Sequence, residues 1–495
     1  QASGSLQNSK SKDILKTVNE LGTKNKIGEV RFDHSKEIET INVLPSKEWS
    51  NSSIDHRSGV LNQVADDIEQ NPEKFLYLLI NEAGKTIQDA CDEIRETVDL
   101  IRYYALKVKK YDVQHEMPGP TGEKNFLSFQ PKGLVLCVSP WNFPLAITLG
   151  QIMASLVTGN SVIAKPSEHT SIIASEAINL LHKNGIPKNA LTLILGKGDV
   201  AKSIIKSQNI DLVVFTGSIK TARNIQITLA KKDGKIVPLI AETGGLNAMV
   251  IDSSALLEQA CDDVIRSAFN SSGQRCSALR LLLVDKVIDA ELTMMLQGAM
   301  DELNVGKPSE NSTDMGPIIN RQALINLNKY VASQKSCGLE VYQSMMSPKL
   351  KSHWMPPTMI KIKNINDLNS EEFGPILHVL SYNQKNLSAY LSQLKDKGFG
   401  LTFGVHSRIE SKALNTAEII AAGNTYINRD MIGAAVESQP FGGIGLSGSG
   451  FKAGGPNYLI QFLNETATSV NTVAIGGNAE LLNLESFDGD PKKNK

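Results

Sequence analysis

The sequence predicts an α/β protein: a doubly wound parallel sheet followed by a second α/β unit. Three observations carry this. Between residues 133 and 251, short apolar runs alternate with helical segments, the rhythm of successive βαβ units. Residues 252–440 repeat an α/β rhythm. The length, 495 residues, exceeds what one hydrophobic core organises, so two or three domains are expected.

Residues 1–50 are polar and weakly patterned. Val60, Leu61, Val64 and Ile68 recur at helical spacing up to Asn71-Pro72, a stop and restart signal. Phe75, Leu78 and Leu79, then Ile94, Val98, Ile101, Tyr104 and Ala105, mark further amphipathic helices, read as scaffold. Pro118-Gly119-Pro120-Thr121-Gly122 is turn chemistry beside the alternating Phe126, Leu127 and Phe129, which predicts a hairpin or excursion over 113–131. The parallel sheet is assigned strands at 134–138, 161–164, 191–195, 212–215 and 237–240, with helices starting near Pro144, Thr170, Val200 and Ile219. The second unit is assigned a helix at 256–269, a strand at 281–284, a helix at 290–303 and strands near 339–342, 376–382 and 404–405. Glycine-rich turns at 442–455 precede an apolar tail at 458–476 and a polar end.

Composition excludes several function classes. An apolar fraction of 41% and 21% charged residues suit a globular protein. With 51 basic and 52 acidic side chains, no global field favours nucleic acid or anionic lipid. Residues 133–164 carry no charge, but Pro140, Asn142, Pro144, Gln151, Thr158, Gly159 and Asn160 interrupt them, so strand, loop, helix and strand fit better than a membrane span. Five scattered cysteines without a CxxC pair argue against a disulfide scaffold or zinc site and for a reducing, cytoplasmic setting; no metal site is expected. The opening Gln1-Ala2-Ser3-Gly4-Ser5 reads as a linker remnant, so a piece of a longer protein is expected.

Two stretches carry candidate chemistry. Cys276 lies among small and flexible residues in Ser271-Ser272-Gly273-Gln274-Arg275-Cys276-Ser277-Ala278, and Glu242 lies in Ala241-Glu242-Thr243-Gly244-Gly245. Two loops would thus offer a nucleophile and a base. A free cysteine is more commonly a small buried hydrophobe, so its neighbours must decide. Two glycine patterns mislead. Gly443 to Gly448 fits GxGxxG without a preceding strand or following helix, and reads as a structural loop. Gly196-Lys197-Gly198 follows a strand, but the next strand ends in Phe215-Thr216-Gly217-Ser218, with no acid placed for a ribose. A different arrangement suits a nucleotide better. Lys165 and Glu168 end one strand, where Glu168 can accept from ribose hydroxyls and repel a 2′-phosphate; Phe215-Thr216-Gly217-Ser218 opens a helix whose free N–H groups suit a pyrophosphate. Alone, Lys165 and Glu168 would read as a solvated pair.

In order and spacing, Ser139-Pro140-Trp141-Asn142-Phe143-Pro144, Lys165-Pro166-Ser167-Glu168, Phe215 to Ser218, Glu242-Thr243-Gly244-Gly245, Gly273-Gln274-Arg275-Cys276, Glu371-Glu372-Phe373-Gly374-Pro375 and Pro440-Phe441-Gly442-Gly443 resemble the aldehyde dehydrogenase superfamily, from about residue 50 to about 470. The resemblance implies the aldehyde dehydrogenase fold: a Rossmann-like NAD-binding domain (1–112 and 132–247), a catalytic domain (248–443), an oligomerisation flap (113–131 and 460–476) and a C-terminal tail (477–495). It implies Cys276 as nucleophile, Asn142 with the Cys276 amide as oxyanion donors, and Glu242 as the base that activates water. For NAD it implies Lys165, Glu168, Thr216, Gly217 and Ser218 at the adenosine and pyrophosphate end, with Glu371 and Phe373 at the nicotinamide ribose. One departure stands out: many members carry a Lys nine residues after the oxyanion Asn, where this chain has Gln151.

The wording around Glu242 and Cys276, and from Asn428 to Pro456, is similar to the 1-pyrroline-5-carboxylate (glutamate semialdehyde) dehydrogenases, including the C-terminal module of bifunctional proline utilization A proteins. That resemblance implies Ser277 and the Gly433 and Ala434 amides at the substrate carboxylate, a nest that needs small residues. The Gly433-Ala434 pair alone would read as an ordinary turn. Arg275 would add positive charge, and Phe143 and Phe441 would wall the aliphatic part. It implies the second step of proline catabolism, a preceding proline dehydrogenase module holding the only FAD, and a homodimer. Rival readings are an aldehyde dehydrogenase of another substrate class, a CoA-acylating enzyme, which Glu242 disfavours, a cysteine hydrolase, for which none of the eight histidines lies in a matching motif, and a non-catalytic relative, which would be expected to lack Cys276, Glu242 or Asn142.

Overall fold

The computed structural model describes residues 2–3, 14–33, 38–40, 42–348, 350, 352–368, 370–472 and 474. The polar N-terminus forms a small sheet, β1 (Ala2–Ser3), β2 (Ile14–Asn19) and β3 (Lys26–Phe32) in the order β1-β3-β2. Only Val30 and Phe32 of β3 reach the buried core, too few positions to show as a period. Helices α1 (Ile54–Gln70), α2 (Glu73–Asn81) and α3 (Ile87–Lys107) follow. Ser53 and Thr86 cap α1 and α3 by accepting the N–H groups of His56 and Asp89. The predicted apolar stripes of all three helices, apart from the partly buried Val60, are buried in a core shared with the first large sheet.

The excursion at 113–131 is a hairpin, β4 (His115–Met117) and β5 (Glu123–Pro131), and the C-terminal β20 (Leu463–Asn471) pairs with β5 along its whole length. The first large sheet holds β6 (Leu134–Val138), β7 (Ser161–Lys165), β8 (Leu191–Leu193), β9 (Leu212–Gly217) and β10 (Leu239–Thr243), all parallel, in the order β10-β9-β6-β7-β8. Helices α4 (Ala146–Val157), α5 (Ser171–Lys183), α6 (Gly198–Ser207) and α7 (Ile219–Ala230) make its crossovers. Every residue of β6 and β7 is buried, as expected for strands covered on both faces. The uncharged stretch is strand, loop, helix and strand, and no described helix is long and apolar enough to cross a membrane.

The chain then crosses to a second sheet: β11 (Ala248–Ile251), β12 (Leu281–Asp285), β13 (Glu340–Gln343), β14 (Thr358–Lys361), β15 (Ile376–Tyr382), β17 (Thr402–His406) and β18 (Asn424–Ile427). Its order is β13-β14-β15-β12-β11-β17-β18, parallel except at the β13 edge. Helices α8 (Leu257–Phe269), α9 (Asp289–Glu302), α10 (Arg321–Ser336), α11 (Gln384–Asp396) and α12 (Glu410–Ile420) accompany it. A short pair, β16 (Phe399–Gly400) and β19 (Ile444–Gly445), ties the glycine-rich turns to this unit. Tyr458, Leu459 and Phe462 then return to the first core. The predicted tail, 477–495, lies outside the described residues.

Candidate active site

Two strands run further than the sequence predicts. β9 continues through Thr216 to Gly217 and β10 through Glu242 to Thr243, with Glu242 paired to Thr216 and Thr243 to Gly217. The expected loop position of Glu242 is therefore corrected: the ladder extends because its backbone partners are already in place on β9. Glu242, Thr216, the end of β6 that leads to Asn142, and Lys165 of β7 all lie at the carboxyl edge of one parallel sheet, where such folds bind ligands.

The candidate nucleophile comes from the second unit. After α8 ends, Ser271 (φ 53°), Ser272 (φ 55°) and Gly273 (φ 65°) are successively left-handed. For the two serines this backbone costs free energy and must be held. Ser271 Oγ donates to Asp89 Oδ2 at 2.9 Å, and Ser272 Oγ to the Gly316 carbonyl at 2.6 Å. Only glycine fits at 273, because a Cβ there would lie 2.2 Å from the Gly374 carbonyl oxygen. Beyond the turn, Asn247 Nδ2 donates to the Cys276 and Ala278 carbonyls at 2.6 and 2.9 Å. The loop is thus clamped on both sides of Cys276.

Asn142 reaches this loop, its Nδ2 donating to the Gln274 carbonyl at 3.3 Å. Glu242 Oε2 accepts the Gly443 N–H at 2.9 Å. Gly442 and Gly448 crowd the same carboxylate, since a Cβ on either would approach its oxygens to 2.9–3.0 Å. The glycine-rich turn, expected to be a structural loop, is therefore the cradle of the candidate base. Burial pushes the Glu242 carboxyl up to about 8, against the opposing pull of the Gly443 N–H and the Lys452 charge. Burial, then the carboxylates of Glu371, Glu242 and Glu96, push the Cys276 thiol up to about 12.

A cavity of about 460 Å³ separates these groups. Asn142, Glu242 and Cys276 line it together. So do Thr216, Gly217, Ser218, Glu371 and Phe373 on the expected nucleotide side, and Phe143, Arg275, Ser277, Gly433, Ala434 and Phe441 on the expected substrate side. Lys165 and Glu168 lie outside this lining, at the end of β7, with Lys165 Nζ 4.0 Å from Glu168 Oε2. Ser218 Oγ caps α7 by accepting the Thr221 N–H at 3.3 Å. Glu371 is seated over Gly244, where a Cβ would lie 1.8 Å from Oε2, and Arg280 Nη2 stands 3.4 Å from its other oxygen. Gln151, in place of the lysine, donates through Nε2 to Thr216 Oγ1 at 3.0 Å and so joins α4 to β9 without a charge. Gly433 has φ 75°, and no acceptor among the described residues takes the N–H of Gly433 or Ala434.

Two expectations change. Arg275 lines the cavity, but its guanidinium is already paired: Nη2 lies 2.8 Å from Asp89 Oδ1 and Nε donates to Ser271 Oγ at 2.8 Å. Its charge braces the loop. Helix α3, expected to be scaffold, supplies Glu96 to the cavity beside Leu100 and Tyr104. Burial, then Glu93, raises the Glu96 carboxyl to about 7, against the pull of Arg275 and Lys85. A signal existed: Asp89, Glu93 and Glu96, spaced four and three apart, place three carboxylates on one helix face.

A thiol from one α/β unit facing a carboxylate and an amide at the strand ends of a second defines a two-unit, cysteine-bearing dehydrogenase architecture. The chain belongs to the aldehyde dehydrogenase family, whose profile matches residues 7–468. It is 40% identical over 468 residues to the bifunctional protein PutA of Klebsiella aerogenes, covering 91% of this chain but 34% of that protein. It is 33% identical to the 1-pyrroline-5-carboxylate dehydrogenase of Geobacillus kaustophilus, covering 85% of this chain and 82% of that one. A crystal structure of a bifunctional proline utilization A protein superposes with a TM-score of 0.84 at 46% identity, covering 87% of this chain and 44% of that chain. The chain thus spans about a third of the length of the curated PutA proteins it matches.

Proposed function

We propose that the chain oxidises L-glutamate γ-semialdehyde, the open form of 1-pyrroline-5-carboxylate, to L-glutamate with NAD. The observation that carries the reading is a single cavity with Cys276, Asn142 and Glu242 lining it beside Ser277 and the unpartnered Gly433 and Ala434 amides. Two successive free N–H groups, the first on a left-handed glycine, form an anion nest, which suits an α-carboxylate. The Glu96 carboxylate in the same wall suits the ammonium, and Phe143 and Phe441 leave an apolar path for the methylenes between them. The name of the Geobacillus relative, 1-pyrroline-5-carboxylate dehydrogenase, agrees with this substrate.

The residues present fit NAD. Lys165 can donate to, and Glu168 accept from, the adenosine ribose hydroxyls, and the Glu168 charge disfavours a 2′-phosphate. Thr216, Gly217 and Ser218 lead into the α7 N-terminus, whose N–H groups suit the pyrophosphate. Glu371 and Phe373 would hold the nicotinamide ribose. When bound, NAD supplies the hydride acceptor. The Cys276 sulfur, once deprotonated, adds to the aldehyde carbon, and the oxygen takes the negative charge between Asn142 Nδ2 and the Cys276 N–H. Loss of hydride leaves an acyl thioester on Cys276. Glu242 then takes a proton from water, the hydroxide adds to the thioester carbon, and the thiolate leaves with glutamate as product.

The proposal extends to the β4-β5-β20 flap, whose mostly exposed strands, with Val113 and Met117 half-exposed, suit pairing with a second copy. The deciding assay is NADH absorbance with glutamate semialdehyde against a plain aliphatic aldehyde of similar length. A clear preference in kcat/KM for the semialdehyde is expected. Equal efficiency would remove the carboxylate and ammonium anchors.

A further inference from the structure

We propose that Lys85 and Glu93, a buried ion pair behind the cavity wall, are positioning residues that fix Asn142 against the nucleophile loop. This rests on the reading of Asn142 as an oxyanion donor. Lys85 Nζ stands 2.9 Å from Glu93 Oε2, and both side chains are almost wholly buried. Burying two charges gains little stability, because desolvation offsets their attraction; what such a pair supplies is fixed geometry.

The contacts show what is fixed. Helix α4 begins three residues after Phe143 without any side-chain cap of its own. Glu93 supplies one from α3, its Oε1 accepting the Leu145 and Ala146 N–H groups at 2.8 and 3.1 Å. Lys85 Nζ also lies 4.1 Å from the centroid of the Phe143 ring, and the Arg275 guanidinium 5.3 Å from the same centroid. Asn142 therefore precedes a side chain gripped by two cations and a helix end gripped by a carboxylate. One turn earlier on α3, Asp89 holds Arg275 and Ser271 of the nucleophile loop. Adjacent turns of one helix thus hold the two loops, and the rigidity of α3 sets the separation of the Asn142 amide from the carbon that Cys276 attacks.

The test uses the full chain, without cofactor. The double variant Lys85→Met/Glu93→Gln, the single variant Asn142→Ala and the triple combination are compared in two reactions. Acylation of Cys276 by p-nitrophenyl acetate, read as the p-nitrophenolate burst, passes through an oxyanion. Alkylation by iodoacetamide needs the thiol and no oxyanion donor. Misplacing the donor should slow acylation by about 10- to 100-fold in the double variant. Alkylation should change by less than about threefold, and the pair should cost less than about twofold further once Asn142 is alanine. Equal losses in both reactions, no loss, or the full loss persisting beside Asn142→Ala would each overturn the proposal. Should the double variant fail to fold by circular dichroism, Glu93→Gln, which keeps an acceptor for the α4 amides, and Lys85→Arg, which keeps the charge, decide it. Glu93→Gln should then show the same selective loss, and Lys85→Arg should retain acylation within about fivefold. If Asn142→Ala alone leaves acylation intact, the oxyanion reading falls; if it slows acylation and the pair does not, only the positioning role falls.

Discussion

Because burial lifts the Glu242 carboxyl to about 8, release of the acyl group should depend on pH with a midpoint near that value. A carboxyl is protonated below its pKa and ionised above it, so the base form grows as pH rises. With a pKa near 8, the ionised fraction climbs from about 9% at pH 7 to about 91% at pH 9, roughly a tenfold gain. Acyl-enzyme formed in a first turnover should therefore hydrolyse about ten times faster at pH 9 than at pH 7, with a midpoint near 8. Glu242→Gln should abolish this dependence while leaving the initial NADH burst. Lys452→Met, which removes the cation lowering that pKa, should move the midpoint upward. The same shift acts on stability. The folded chain holds the Glu242 proton more tightly than the unfolded chain does, so stability present below about pH 4.5 is lost as pH rises through about 8, by on the order of a few kcal/mol. Urea unfolding of Glu242→Gln should consequently vary less with pH than that of the parent. A hydrolysis rate flat from pH 6 to 9, or an unchanged profile in Glu242→Gln, would refute the assignment of Glu242 as the group that activates water.

Three further outcomes follow from single side chains. Cys276→Ala should form no NADH from any aldehyde, yet bind NAD within about threefold of the parent by fluorescence quenching, because the nucleotide contacts lie on other elements. Glu96→Gln should raise KM for glutamate semialdehyde by about tenfold and leave that of a plain aldehyde unchanged, since only the former carries an ammonium. Gly273→Ala should cost about 2 kcal/mol or more in urea unfolding, because alanine meets both a φ of 65° and a carbonyl oxygen 2.2 Å from its Cβ.

Much of the fold is legible where burial is simple. β6 and β7 are buried at every residue and stand out as uninterrupted apolar runs, and the Leu61, Val64 and Ile68 stripe of α1 keeps its helical period. β10 is misread at its end because Glu242 and Thr243 look like the start of a loop; pairing with Thr216 and Gly217 decides otherwise, and no local pattern reports a ladder partner. Helix α10 escapes because only Leu324, Leu327 and Val331 of its 16 residues are buried. β18 escapes because it is four residues long and one of its two buried positions is the polar Asn424, so only Tyr426 remains to mark an apolar face.

At the site the division has a different cause. Reacting groups are legible because chemistry restricts which residues can stand beside them: Gly273 before Cys276, Gly244 under Glu371. Their spacing is not legible. Asp89 meets Arg275 across 186 residues and Glu93 meets Leu145 across 52, and on a helix such carboxylates read as a solvated face. Arg275 shows how far this misleads, since a charge beside a nucleophile looks like a ligand for substrate until its partner is seen. The chemistry of this cavity sits in motifs on two loops and one strand end, while the distance between the loops is fixed by another element that carries no motif. A substitution in α3 can therefore slow acylation without touching any residue that contacts substrate.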